Sequence, residues 1–324
     1  MPEDGLNGRP NATQHVRIAV LTYQRPRDLE DILPMLVEQA RSVTHSKTFV
    51  DIVVVDNDPA ASARKLVVGF AQSVLDLPVL YEHEPEPGIA AARNRALDTA
   101  GEADLLVFID DDERPSQPWL SLMLSTYDKH ASAAVVGPVI SAFAVEPDPW
   151  ITAGKFFVRL RRPTGTPVKV AATNNLLLDL HQVRRMNLKF DVHFGISGGS
   201  DTLFTRALHE GGGRLVWCDE AVVTDVVPPS RINRSWVLKR ALRSGNAAST
   251  TSLRLARSRA HRVPLRLTLA ARGATRIAGG STQFLVGAVS RSQAHRARGA
   301  RTCARGIGML SGAWGYSYQE YKRT

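Results

Sequence analysis

Hydrophobic and polar positions fall into alternating blocks along the first 130 residues. Residues 16–22 (VRIAVLT) are nearly all aliphatic or β-branched and predict a strand. Residues 27–43 place Leu29, Ile32, Leu33, Leu36, Val37 and Ala40 at helical spacing, with Pro34 expected to interrupt that helix or shift its start. A second strand is predicted at 50–55 (VDIVVV), ending in the turn sequence Asp56-Asn57-Asp58-Pro59. Further along, a helix is expected at 61–76, a strand at 78–82, an Ala-rich helix at 88–99, a strand at 104–109 and a helix at 116–127. Continuous apolar strands separated by helices predict an α/β fold with a Rossmann-like, mostly parallel sheet covered on both faces. Ligands of such sheets bind beyond the carboxyl ends of the strands, so Thr22, Asp56 and Asp110 are expected along one edge.

The fourth apolar run stops abruptly at Asp110, Asp111 and Asp112, with Glu113 next. Two carboxylates about 4 Å apart repel by roughly 1 kcal/mol in water and about 4 kcal/mol at an effective dielectric near 20. Two readings relieve that repulsion. In one, the cluster is a solvated acidic turn ahead of the next helix, whose N-terminus favours acids. In the other, it is half of a metal–diphosphate site, since all-oxygen donor sets suit magnesium or manganese. The strand-edge position and the matching Asp56 favour the second, with Asp110 and Asp112 pointing the same way along an extended segment and Glu113 solvated.

Charge divides the chain. From Arg231 onward there are 19 Lys and Arg against one acid, Glu320, whereas residues 1–230 carry 22 bases and 30 acids. Residues 1–14 read as a disordered leader, 15–230 as an α/β domain and 231–324 as a basic helical extension. Two cysteines exclude a disulfide framework or a four-cysteine zinc site. Neither a signal-peptide pattern nor an apolar run long enough to span a bilayer is present.

Seven segments then take on meaning together: IAVLTYQRP (18–26), DIVVVDND (51–58), GIAAARNRALDTA (88–100), LLVFIDDDERPSQPWL (105–120), AATNNLLLD (171–179), FGISGGSDTLFTRAL (194–208) and CDEAVVTDVVP (218–228). In this order the sequence resembles the family 2 glycosyltransferases of the GT-A fold, over about 16–245. It is similar in particular to bacterial succinoglycan-type glucosyltransferases of exopolysaccharide assembly, which share Pro149-Trp150, Gly154, the Gly-Gly-x-Asp-Thr block and a segment like SWVLKRALRSGN.

The resemblance implies roles. Thr22, Tyr23 and Arg25 contact the nucleotide, Asp56 accepts hydrogen bonds from the base, and Arg93 faces the base or its phosphates. Asp110 and Asp111 approach the ribose; Asp112, with Asp110, binds Mn2+ or Mg2+ bridging the diphosphate. Asp201 is the catalytic base, doubling as the N-cap of the following helix; Trp150, Asn174 and Asn175 border the acceptor side. Many relatives carry a metal-binding His where Thr224 stands, so Asp225 is a candidate substitute; His193 and His209 are read as structural or exposed.

The implied reaction is inverting transfer of a hexosyl group, glucosyl and UDP-linked, to a hydroxyl of a lipid-linked oligosaccharide or polysaccharide precursor. The basic extension, with apolar clusters between arginines, suggests helices lying on an anionic membrane surface at the cytoplasmic face, and nucleic acid is not favoured. Two other classes remain: an Asp-dependent phosphotransferase, disfavoured because Glu113 and Arg114 follow Asp112, and a non-catalytic sugar- or membrane-surface binding protein.

Overall fold

The computed structural model describes residues 13–45, 47–194, 198–256 and 258–316. The predicted leader falls almost wholly outside them. Four strands open the main sheet: β1 (Gln14–Thr22), β2 (Thr48–Asp56), β3 (Val79–His83) and β4 (Leu105–Asp110). All four run parallel in the spatial order β3-β2-β1-β4. Between them lie α1 (Pro26–Val43), α2 (Arg64–Ser73) and α3 (Ile89–Thr99). Pro34 does not break α1, which runs unbroken with Pro26 at its first turn and buries the predicted apolar face. A proline is tolerated in that helix because Leu29, Ile32, Leu33 and Leu36, all fully buried, hold it on the sheet.

The chain then leaves the main sheet. β5 (Glu113–Pro115) belongs to a second, three-stranded sheet, followed by α4 (Trp119–His130), β6 (Ala134–Val136) and β7 (Val139–Phe143). Next come α5 (Pro149–Gly154), β8 (Pro167–Val168), β9 (Asn175–Asp179) and α6 (Leu180–Arg185). α7 (Ser200–Glu210), β10 (Leu215–Trp217) and β11 (Val223–Val227) complete this part. β9 inserts between β4 and β6 and is antiparallel to both, so the sheet is mostly rather than wholly parallel. β11 joins β5 antiparallel and β7 parallel, with Asp225 opposite Glu113.

The alternation of side chains across β1 and β2 feeds two cores. Ile18, Val20, Ile52 and Val54 pack under α1 and α4, while Ala19, Leu21, Val53 and Val55 pack under α3 and α7. That is the two-sided burial expected of nearly continuous apolar strands.

The basic extension folds as three helices: α8 (Arg234–Arg254), α9 (Arg259–Val289) and α10 (Gln293–Ala313). α10 lies against both others and against α5. The backbones come so close that a Cβ on Gly308 would collide with the Leu242 carbonyl oxygen, and one on Gly306 would stand 2.7 Å from that of Gly273. Gly154 and Trp150 are part of this seam, since a Cβ on Gly154 would meet Phe156 and Ala297.

Candidate active site

β4 ends at Asp110, and the two residues that follow form a tight turn into β5. The acids therefore sit where the two sheets part, and the strand alternation expected for Asp110 and Asp112 gives way to a turn. Each carboxylate meets a different environment.

Asp111 is buried and accepts from Thr22 Oγ1 and from Arg25 Nη1, both at 2.8 Å. The same Arg25 nitrogen reaches Asp112 Oδ2 at 2.8 Å, and Arg231 Nη1 reaches that oxygen at 3.4 Å. Burial opposes the charge on Arg25, but Asp111 and Asp112 hold its pKa above the ordinary value. Asp111 rises to about 6, chiefly through burial, with Arg25 pulling the other way.

Asp110 is half-buried, and among the described residues its carboxylate accepts no hydrogen bond. Burial and then the neighbouring Asp112 push its pKa to about 7, against the pull of Arg93. Among the described residues, Asp112 in turn uses only Oδ2. An under-partnered carboxylate beside a second one is a donor set that suits a hard divalent cation. Among the described residues, no three or more His, Cys, Asp or Glu side chains are grouped to hold an ion, so any such site draws on water or diphosphate for its other ligands.

Glu113 overturns its predicted solvation. It is 1% exposed, accepts from Asn174 Nδ2 at 2.6 Å, and has its pKa raised well above normal by burial and then Asp110. Asp225, across the β5–β11 ladder, pairs with Arg159, and burial raises its pKa. Sequence reasoning missed Arg159, Arg231 and the role of Glu113. Arg231 stands at the charge boundary near residue 230, where the abrupt rise in arginines is the one signal that marks it.

Three predicted residues have structural duties. Asp56 is fully buried and accepts from the backbone N–H of Asp58 and Ala63 and from the Tyr81 hydroxyl, organising the loop beyond β2. Asn175 lies in the core, accepting from Trp119 Nε1 and donating to the carbonyls of Pro138 and Ala221. Trp150 is likewise buried, against Phe156, Phe157 and Val237, with the Arg234 guanidinium over its ring. Asn174, in contrast, stays half-buried beside Glu113, and Tyr23 is exposed at the end of β1.

Arg93 connects the halves of the site. It is buried on α3, stacks over Phe190 with its Cζ 5.5 Å from the ring centroid, and donates from Nη1 to Ser200 Oγ at 2.7 Å. Its Nε is buried without a partner among the described residues. Ser200 is the first residue of α7 and Asp201 the second; Gly199, at φ 96°, supplies the N-cap in a backbone conformation that favours glycine. The capping role expected of Asp201 thus belongs to Gly199, and Asp201 Oδ1 accepts from the Thr202 N–H instead. Residues 195–197 of the glycine-rich bend lie outside the described residues. Thr224 pairs with Arg114 in the second sheet, and His193 is exposed and bonded to Asp191.

A mostly parallel sheet with an acidic turn at its carboxyl edge, bonded by Arg25 and Arg231, has the architecture of the GT-A fold. The sequence pattern described as Glycosyl transferase family 2 fits residues 17–193, and the chain belongs to that family. It is 35% identical over 252 residues, 78% of each chain, to a protein called "Succinoglycan biosynthesis protein ExoM" from Rhizobium meliloti (strain 1021). Among solved structures it resembles a Pyrobaculum calidifontis mannosyltransferase in complex with GDP-Man and Mn2+ (TM-score 0.63, 17% identity, 94% of this chain and 88% of that one). It also resembles residues 1–349 of S. aureus TarS in complex with UDP (TM-score 0.52, 16% identity, 94% and 93%). The protein is thus a family 2 glycosyltransferase with the GT-A fold, related to a succinoglycan biosynthesis protein.

Proposed function

We propose that the chain transfers a hexosyl group, glucosyl in the first instance, with inversion from a UDP-linked donor to a hydroxyl of a lipid-linked oligosaccharide or polysaccharide precursor. The observation that carries this reading is Asp110: a half-buried carboxylate without a hydrogen-bond partner among the described residues, next to Asp112, whose Oδ2 accepts from Arg25 and Arg231. Asp112 and Asp110 are the residues to hold Mn2+ or Mg2+. When bound there, the ion would act as a Lewis acid toward the diphosphate.

The chain's own groups account for the rest. Thr22, Tyr23 and Arg25 receive the nucleotide at the end of β1, and Asp56 shapes the loop that borders the base. Arg25 and Arg231 offer guanidinium donors to the charge that grows on the diphosphate as the sugar–oxygen bond breaks. Asp201 takes the acceptor hydroxyl proton while that oxygen attacks the anomeric carbon from the opposite face. Asn174 lies on the side of the acidic turn open to the acceptor. A bilayer carries the acceptor, and the basic extension meets it.

A thermal-shift series of nucleoside diphosphates with and without Mn2+ tests the reading, because a ligand that binds only the folded state raises its stability. UDP should raise Tm only when Mn2+ is present, and Asp112→Ala should abolish the rise. No response to any nucleoside diphosphate with Mn2+ or Mg2+ would remove the proposal.

A further inference from the structure

α9 spans 31 residues, about 45 Å at helical rise, yet the described residues cover only one side of it. That side carries Leu269, Gly273, Gly280 and Gly287, and α10 comes within van der Waals reach of the last three. Their seven-residue spacing keeps the seam on one side along the whole helix.

The opposite side faces solvent. Spaced for that face are Val263 (62% exposed), Leu267 (59%), Ala271, Ala278, Leu285 (63%) and Val289 (88%). Between Ala260 and Val289 no Lys, Arg, Asp or Glu falls on it. Of the arginines on α9, Arg272 lies toward one edge of this face and Arg266 toward the other, whereas Arg262 and Arg276 fall on the α10 side. Arg276 also stands near Arg301 and Arg305 of α10; burial and these two like charges lower the pKa of Arg305. The only acid from Arg231 onward is Glu320.

We infer that this uncharged face of α9 is the surface by which the protein lies on an anionic lipid bilayer. The proposal rests on the lipid-linked acceptor reading above and goes beyond it by assigning the contact to one helix face. Apolar side chains enter the acyl boundary while flanking arginines meet anionic headgroups, the arrangement of an interfacial helix. A second copy of the chain is the poorer occupant, because facing two such surfaces would set their flanking arginines against each other. No helix among the described residues is long and apolar enough to cross a membrane.

The full chain is mixed with phosphatidylcholine vesicles, with and without phosphatidylglycerol, and sedimented. Wild type should bind the phosphatidylglycerol vesicles preferentially. Leu267→Glu and Leu285→Glu should each weaken that binding about tenfold, while Leu75→Glu, 92% exposed and outside the bundle, leaves it unchanged. Circular dichroism and Tm show that these exposed-site variants fold. UDP–Mn2+ thermal shifts on the same preparations separate the two claims: vesicle binding without any nucleotide response would remove the transferase reading and leave the surface standing. The inference fails if α9 variants bind like wild type, or if wild type ignores phosphatidylglycerol vesicles. It also fails if light scattering shows Leu267→Glu splitting a dimer while vesicle binding is unchanged.

Discussion

Arg93 Nη1 donates to Ser200 Oγ at 2.7 Å in the protein interior, tying α3 to the first residue of α7. The next residue is Asp201, and Asp110 lies close enough to feel the same guanidinium. Arg93 thus braces the start of α7 while its charge reaches the acidic turn. Arg93→Lys keeps the charge but not the fork geometry. It should lower kcat by about 10- to 100-fold through misplacement of Asp201, with UDP affinity changed little. Steady-state kinetics beside calorimetric UDP binding decide it. A large loss of UDP affinity at unchanged kcat would make Arg93 a nucleotide contact instead.

Asp201 itself gives a sharper contrast. Among the described residues its carboxylate has no charged partner and accepts only from Thr202. Asp201→Asn is nearly isosteric and leaves that bond available. Transfer should fall about 100- to 10,000-fold, the usual share of a positioned base. The UDP–Mn2+ thermal shift should persist. Full transferase activity in this variant would assign the proton to another group.

The Asp110 carboxyl is raised from an ordinary 3.8 to about 7, so the native protein holds a proton that the unfolded chain releases. A raised acid contributes stability that is complete below about 3.8 and lost as pH climbs through about 7. Asp110→Asn removes that loss. At pH near 8 the variant should be more stable than wild type by about 2 kcal/mol, allowing for the group's partial exposure, and near pH 4 it should show no gain. Metal-dependent UDP affinity in wild type should move oppositely, rising as Asp110 ionises. Urea titrations at the two pH values check the first claim, and a pH series of UDP binding checks the second.

Asn175, expected on the acceptor side, is a core amide. Its carbonyl oxygen and both amide hydrogens are spent on Trp119, Pro138 and Ala221. Asn175→Leu would leave those three buried groups unpaired. A loss of about 3 kcal/mol of stability is expected, with the acceptor KM of any folded protein unchanged. A raised acceptor KM at wild-type stability would restore the acceptor-side role.

What the sequence makes legible and what it hides follow from the range of the forces involved. β1 to β4 and the helices between them are set by local apolar period, and each lies within a few residues of its expected place. β9 is hidden because its antiparallel insertion between β4 and β6 is a long-range choice that no local pattern encodes. Acids at a strand end are visible, so Asp110, Asp111 and Asp112 stand out. Their environments do not: Glu113 looks exposed in sequence, and only its pairing into the second sheet beside β11 buries it. Arg159 reaches Asp225 across 66 residues of sequence, and Arg231 reaches Asp112 across 119, separations that no spacing rule bridges. Trp150 and Gly154 form a real motif, but one that serves the seam with α10.

That seam supplies a last prediction. Gly308 faces α8 so closely that a Cβ would collide with the Leu242 carbonyl oxygen, and the opposing atom is backbone that cannot swing aside. Gly279 sits on α9 in open space, with nothing within 4 Å of the point a Cβ would occupy. The same change should therefore have opposite signs at the two sites. Gly308→Ala should destabilise by about 2–3 kcal/mol, because α8 and α10 must part. Gly279→Ala should stabilise by about 0.5–1 kcal/mol, since a helical glycine is replaced at no steric cost. Urea denaturation of both variants measures it. Equal effects at the two positions would mean that α8 and α10 do not pack as closely as the glycines require.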